Sequence, residues 1–361
     1  MKGAARRWVW PAVAIATAAI AIGVQFAYAR AHRRPVSLAV LARETTIERA
    51  AMSTLWRVVL PRGARAVAVD VAERALDEVA RLENVLSEWR PQTELSRVNA
   101  NSGGAPVRVG ADTWAVVERS LQFARMSDGA FDPTWAALRG LWDFRHAGAR
   151  PPDPAAIRER LPLVNWRGVE MDARAQTIRL ARPGMALGLG GIAKGYALDR
   201  MRTMLHDAGV RDFMLYAGGQ VLVSGTRNGR AWRVGVQHPR DPNALLGTVS
   251  VTSGSVSTGG DYEHYFEHGG RRYHHILDPR TGMPVEHTIA VTVVARTGID
   301  ADGFDTALFV LPPDRALALA ESLGVALIRT GPDLRSELSS PMRAMLELRT
   351  PLDGVARGPT P

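Results

Sequence analysis

Cysteine is missing from all 361 residues of this chain. Disulfides, thiolate metal sites, a cysteine nucleophile and a lipid-modified N-terminal cysteine are thereby excluded. Lysine is almost as rare: of 45 basic residues only Lys2 and Lys194 are lysine, and the rest are arginine. Aromatic residues make up 6% of the chain, and the formal charge of +9 is spread, with arginine interspersed among acids throughout. Nucleic-acid binders usually cluster basic charge with aromatics, so this distribution reads as solvated surface and no nucleic-acid partner is expected. No internal repeat is visible.

One long uncharged run is present, at the start. Trp8 to Ala29 carries no charge and follows Lys2, Arg6 and Arg7. A basic region, an apolar core and the small-x-small sequence Ala27-Tyr28-Ala29 fit a signal peptide over residues 1–29. Arg6-Arg7 hints at a twin-arginine signal, although the surrounding residues match that pattern poorly. The 22 uncharged residues are equally long enough to span a bilayer as an uncleaved anchor. Arg30, Arg33 and Arg34 beyond the run leave that choice open. Both readings put the body of the protein outside the cytoplasm, with membrane association through the N-terminal segment as one form of it.

With 46% apolar residues the rest of the chain is long enough for one large domain or two ordinary ones. Residues 30–50 read as a linker, 51–345 as the folded domain and 346–361 as a disordered tail rich in Pro, Gly and Arg. Strands are expected at Thr54 to Val59 and Ala64 to Val71, then a helix from Glu73 to Trp89 whose apolar residues recur at helical spacing. A second helix runs from Ala111 to Met126 and ends in Ser127-Asp128-Gly129. Short strands near Val169 and Thr177 lead to a glycine loop and a helix reaching about Ala208. Strands are expected at Phe213 to Tyr216 and Gln220 to Ser224, then mostly alternating strand with glycine turns from Trp232 to Ile276 and a last strand at Ile289 to Val294, followed by helices at Asp302 to Val310 and Asp314 to Leu323. Helices and meander strands alternate irregularly, which favours α+β over a doubly wound parallel sheet.

The chemistry concentrates in a few segments. Gly188-Leu189-Gly190-Gly191-Ile192-Ala193-Lys194-Gly195 reads as a tight loop feeding a helix N-terminus, where free backbone N–H groups and the dipole favour an anion. Its Gly-x-Gly-x-x-Ala lettering fits a dinucleotide fingerprint, but the next strand ends at Tyr216 and is followed by Ala217-Gly218-Gly219-Gln220, with no acid for a ribose. The P-loop alternative fails because Lys194 is followed by Gly195-Tyr196 rather than serine or threonine. His264-Tyr265-Phe266-Glu267-His268 spells an inverted zinc-protease motif, yet aromatic alternation followed by Gly269-Gly270 reads as a hairpin, not a metal-bearing helix. Asp300 and Asp302 echo a phosphatase acid pair, but no lysine follows them. Asp302, Asp305 and Thr306 stand at i, i+3 and i+4 on one helix face, and hard oxygens so placed suit Mg²⁺. The competing reading is an ordinary N-terminal cap. Ser257 to Tyr262 is a glycine-hinged polar loop, and His274-His275 precedes a Pro-Arg-Thr-Gly turn, so a histidine is available to take a hydroxyl proton.

Laid in order, these segments resemble the ApbE family of FAD:protein FMN transferases. The resemblance begins at Ala51-Met52-Ser53-Thr54 and Leu86-Ser87-Glu88-Trp89-Arg90-Pro91, with Glu94-Leu95-Ser96-Arg97-Val98-Asn99. It continues through Ser127 to Thr134, the Gly190 to Asp199 loop, Ala217-Gly218-Gly219, Ser257 to Tyr262, His275 to Gly282 and Ala301 to Leu308. It implies an ApbE-like, T-fold-like single catalytic domain with a mostly antiparallel sheet and flanking helices, acting in the periplasm. The implied activity is Mg²⁺-dependent cleavage of the FAD pyrophosphate, with FMN attached to a threonine or serine of an acceptor flavoprotein and AMP released. By resemblance, Met52, Trp89, Ala130, Phe131, Asp132, Lys194 and Ile276 contact FAD. Asp302, Asp305, Thr306 and the Gly191 carbonyl hold the metal, and His275 is the base.

Three positions depart from the family pattern. Gly188 stands where an acid precedes the paired glycines, Gln220 where an aspartate follows the second pair, and Ser53 where the first turn has glycine. The first removes a carboxylate expected at the FAD site, and reduced affinity or turnover is the corresponding expectation. An exported FAD-binding or flavin-delivery protein with weak or no transfer is the alternative reading.

Overall fold

The computed structural model describes residues 41–144, 146 and 148–348, so the N-terminal segment and the tail beyond 348 lie outside the described residues. Along the chain run β1 Thr45–Ala51, β2 Thr54–Leu60, α1 Val67–Leu86, α2 Glu94–Ala100, β3 Val107–Arg108, α3 Ala111–Met126 and α4 Pro154–Arg160. Then come β4 Val169–Asp172, β5 Thr177–Leu180, α5 Ala193–Asp207, β6 Phe213–Ala217, β7 Gln220–Ser224, β8 Trp232–His238, β9 Asp241–Val251 and β10 Ser253–Gly260. The last part holds β11 Tyr265–His268, β12 Arg271–His274, β13 Leu277–Asp278, β14 Met283–Pro284, β15 Ala290–Ala295, α6 Gly298–Val310 and α7 Pro313–Leu323. It closes with β16 Ala326–Thr330, β17 Ser336–Leu338, α8 Ser340–Met345 and β18 Leu346–Leu348.

The main sheet has eight strands in the order β1-β2-β6-β7-β10-β15-β16-β17, every neighbouring pair antiparallel. Its two faces are covered differently. Helices α1, α5 and α6 bury one face in a large apolar cluster that includes Val79, Leu198, Met201, Leu215, Val293 and Leu308. The other face buries Val223, Val256 and Ile328 against Trp232 and Val249 of a small β18-β9-β8 sheet. Helix α1 is amphipathic: Ala68, Val71, Ala72, Ala75, Leu76, Val79, Leu82 and Leu86 are buried at helical spacing. Helix α6 differs, with ten of its thirteen residues buried, including Asp302 and Asp305.

The α+β reading and the predominantly antiparallel sheet hold. Three local expectations do not. Residues 45–50, expected as linker, form edge strand β1, which pairs with β2 and leaves Thr46, Glu48 and Ala50 exposed in alternation while Arg49 turns to Asp77 of α1. Ala64 to Val71, expected as a strand, contains the start of α1, because Ala68, Val71 and Ala72 are buried together on one helix face. Leu346–Leu348, expected in the tail, pairs with β9 as β18.

Candidate functional site

Two helices fix the deepest part of the site. Helices α5 and α6 cross at Gly195 and Gly298. A methyl group built on Gly195 would lie 2.1 Å from the Gly298 carbonyl oxygen, and one on Gly298 would lie 2.4 Å from the Gly195 carbonyl oxygen. No side chain fits there, so both positions need glycine. The close approach lets the Gly195 N–H donate to Asp302 Oδ2 at 2.9 Å. Asp199, one turn along α5, accepts from the N–H groups of Gly298 and Ile299 at 2.8 Å each, capping α6 from a neighbouring helix. Thr297 caps it locally by accepting from the Asp300 N–H.

Asp302, Asp305 and Thr306 therefore face the glycine loop from a helix almost wholly inside the protein. Thr306 Oγ1 donates to Asp305 Oδ1 at 3.1 Å, and the Ser257 hydroxyl donates to Asp305 Oδ2. Burial and the neighbouring Asp302 charge push the Asp305 carboxyl well above its ordinary value. Lys194 answers part of this charge: its ammonium donates to the Gly190 carbonyl at 2.9 Å and lies 3.5 Å from Asp302 Oδ1. A methyl on Gly191 would sit 2.9 Å from Thr306 Oγ1 and 3.6 Å from the Phe131 ring, so the loop, α6 and Phe131 meet at this residue. The Asp302 and Asp305 carboxylates with the Thr306 hydroxyl form a hard-oxygen set beside Gly191, and the chemistry of these buried donors fits a divalent cation such as Mg²⁺. Among the described residues no group of three or more His, Asp or Glu is gathered for a metal, at this site or any other, so the acidic part of this set is the two aspartates alone.

A second wall comes from β10 and the segment that follows it. The space above Gly259 is bounded by Ile276 Cδ1 at 3.7 Å and Asp305 Cγ at 3.9 Å, which brings Ile276 beside the carboxylates. The His275 N–H donates to the His264 carbonyl, and the two imidazoles meet edge to face at 5.3 Å. His275 is exposed on one side yet crowded on the others. That crowding, then repulsion from His264, His274 and Lys194, lowers its pKa and keeps the ring neutral at pH 7. Lys194 and His275 are thus close enough to influence each other. Buried His274 is structural, bridging the Val285 carbonyl and the Ile276 N–H. The segment from His264 to His268 lies beside and within the β11–β12 hairpin, as the hairpin reading expects, and presents no zinc-binding helix.

Not every residue named from sequence reaches this space with its side chain. Ala130 is 1% exposed. Asp132 is buried with both oxygens engaged, Oδ1 by the Thr134 N–H and hydroxyl and Oδ2 by the Trp166 N–H. Its role here is to cap the short turn Pro133–Leu138 that follows Phe131. Met52 and Ser53 both have positive φ, +47° and +59°, in the two-residue β1–β2 turn, a backbone conformation that favours glycine. Trp89 is 60% exposed on the rim, with the Arg139 guanidinium 4.6 Å from its ring centre.

Three residues have partners that sequence reasoning did not supply. Glu88 accepts from the Leu189 N–H at 2.8 Å and lies 3.3 Å from Arg139, so a carboxylate does reach the glycine loop, from another segment. Trp135 explains Gly188: its indole donates to the Gly188 carbonyl, and a Cβ on that glycine would lie 2.8 Å from the indole nitrogen. Gln220 is 1% exposed and donates to the Gly298 carbonyl at 2.7 Å and to Ser255 Oγ at 3.1 Å. Its cross-strand partner is Ser257, so β7 and β10 each send one side chain from the same face to α6. The lettering of Gln220 against the family pattern was a signal; its partner was not.

Residues 52–328 match the ApbE family. The chain is 37% identical over 289 residues to the FAD:protein FMN transferase of Treponema pallidum, covering 74% of this chain and 79% of that protein. It is 34% identical over 288 residues to the enzyme of that name from Klebsiella pneumoniae, covering 78% and 88%. The ApbE protein of Thermotoga maritima superposes with a TM-score of 0.77 at 30% identity, over 84% of this chain and 99% of that one. The flavin transferase ApbE of Vibrio cholerae gives 0.75 at 25% identity, over 84% and 100%.

Proposed function

Because the chain belongs to the ApbE family, we propose that it is an FAD:protein FMN transferase, like the relatives it matches over most of their length. The observation that supports this best is the buried oxygen set on α6, held against a glycine loop whose lysine faces the same space. Phosphoryl transfer needs charge neutralisation and positioning more than covalent catalysis. Asp302, Asp305, Thr306 and the Gly191 carbonyl would hold Mg²⁺, which supplies charge neutralisation at the pyrophosphate.

The acceptor threonine or serine oxygen attacks the phosphorus on the FMN side of FAD. A new P–O ester bond forms, the bond from that phosphorus to the bridging oxygen breaks, and AMP leaves with that oxygen. The hydroxyl proton passes to a ring nitrogen of His275, whose neutral form has the necessary lone pair, and whose pKa rises when an anionic pyrophosphate lies nearby. Lys194 neutralises developing charge, and Trp89 offers an exposed aromatic face for stacking. Action in the periplasm, by an exported or membrane-anchored form, follows from the reading of residues 1–29.

The test is the intact mass of a cognate acceptor flavoprotein incubated with this protein, FAD and Mg²⁺. An increase by one FMN is expected. FAD bound by the protein with no adduct would overturn the transferase reading in favour of flavin binding or delivery.

A further inference from the structure

At the end of the main sheet remote from the site, a cleft of about 340 Å³ lies between the β2–α1 and α5–β6 connections. Arg62, Arg65 and Arg211 line it, and none of them forms an ion pair among the described residues. The acid in the lining, Asp212, is engaged elsewhere, its Oδ1 accepting from the Thr226 N–H and hydroxyl. Arg65 has an ordinary role as well: Gly209 places it over the C-terminal end of α5. Arg62 and Arg211 have no such partner. Burial, then the charges of Arg211 and Arg202, lower the pKa of nearby His206 against the opposing charge of Asp207.

Two further facts concern position. The chain enters the fold here, since the Leu41 N–H donates to the Ala64 carbonyl and the Gly63 N–H to the Leu41 carbonyl. Eleven residues lie between Ala29, the end of the uncharged run, and Leu41, and they include Arg30, Arg33 and Arg34. Such a length reaches at most about 40 Å. Helix α5 then separates the two ends: Lys194 begins it at the site, and Gly209 follows it at the cleft, roughly 22 Å away along its axis. Strand β2 runs the same way, from Thr54 beside Gly218 to Leu60 beside the cleft.

We propose that this arginine-lined end docks on an anionic phospholipid surface, with the opposite end of the sheet held facing away from the membrane. Phosphodiester headgroups match unpaired guanidinium groups in charge and geometry. A tether of this length keeps the cleft within reach of the bilayer. The inference rests on residues 8–29 acting as an anchor, and it is independent of the transferase activity.

The test incorporates the full chain into vesicles of phosphatidylcholine alone or with one part in three (roughly) phosphatidylglycerol, a content that gives a negative surface. Amide hydrogen exchange is then followed over residues 61–69 and 209–213. Slower exchange in anionic vesicles is expected, lost on raising the salt. Each basic residue at such a surface contributes on the order of fivefold to binding. The R62Q/R211Q variant, which keeps Arg65 over α5, should weaken docking by about 25-fold, with its melting temperature unchanged. Equal exchange in both vesicle types overturns the proposal. So does equal protection by inorganic phosphate in neutral vesicles, which would mark a soluble-anion site.

Discussion

The α5–α6 wall of the site and the wall carrying His275 are held by different forces. On the first, two glycine backbones touch, Asp199 caps the adjoining helix, and Asp302 accepts a backbone N–H inside a buried helix. On the second, His275 follows a short exposed hairpin and touches His264 at the surface. A wall built from backbone contacts cannot adjust to an added atom, whereas a surface segment can. Charge placement on the first wall and proton transfer on the second should therefore separate under mutation.

The largest effect is expected at the glycine crossing. Gly195→Ala places a methyl into the Gly298 carbonyl, which must force the helices apart at a cost of about 1–3 kcal/mol. Thermal unfolding should show a lower melting temperature, and transfer should be lost with it. A variant of normal stability and activity would mean that the crossing is not rigid. Asp302→Ala comes next: transfer should fall by roughly 100-fold or more while FAD remains bound, in line with loss of electrostatic stabilisation. Unchanged Mg²⁺-dependent turnover would reduce Asp302 to a cap for Gly195.

On the other wall, His275→Ala should slow transfer by about 100-fold, with FAD affinity changed little. The reverse order, affinity lost and rate kept, would remove it as the base. The smallest effect belongs to the rim. Trp89→Ala should weaken FAD binding by roughly 3- to 10-fold, corresponding to a single aromatic contact of about 0.5–1.5 kcal/mol. Fluorescence titration with FAD measures it, and unchanged affinity would place Trp89 outside the flavin or adenine contact.

The same comparison shows what the sequence made legible. Features written in adjacent residues were readable: the antiparallel meander, the glycine loop before α5, the hairpin at Gly269-Gly270, and Asp302 with Asp305 and Thr306 on one helix face. Features made by distant residues were not. Glu88 meets Leu189 across 101 positions and Asp199 meets Gly298 across 99, and no periodicity encodes such a pairing. Gly188 illustrates the limit most clearly. As a letter it is a lost carboxylate; in the fold it is room for Trp135, with Glu88 bringing a carboxylate to the next residue. At Ala64 to Val71 the small apolar residues fit both strand and helix periods, and burial of Ala68, Val71 and Ala72 on one face of α1 decides for helix.

The most direct measurement of the account is the yield of AMP and of flavinylated acceptor from one reaction, followed as Mg²⁺ is titrated and then removed with a chelator. One AMP is expected for each FMN adduct at every Mg²⁺ concentration, and neither product after chelation. AMP without adduct, or adduct formed undiminished without a divalent cation, would contradict it.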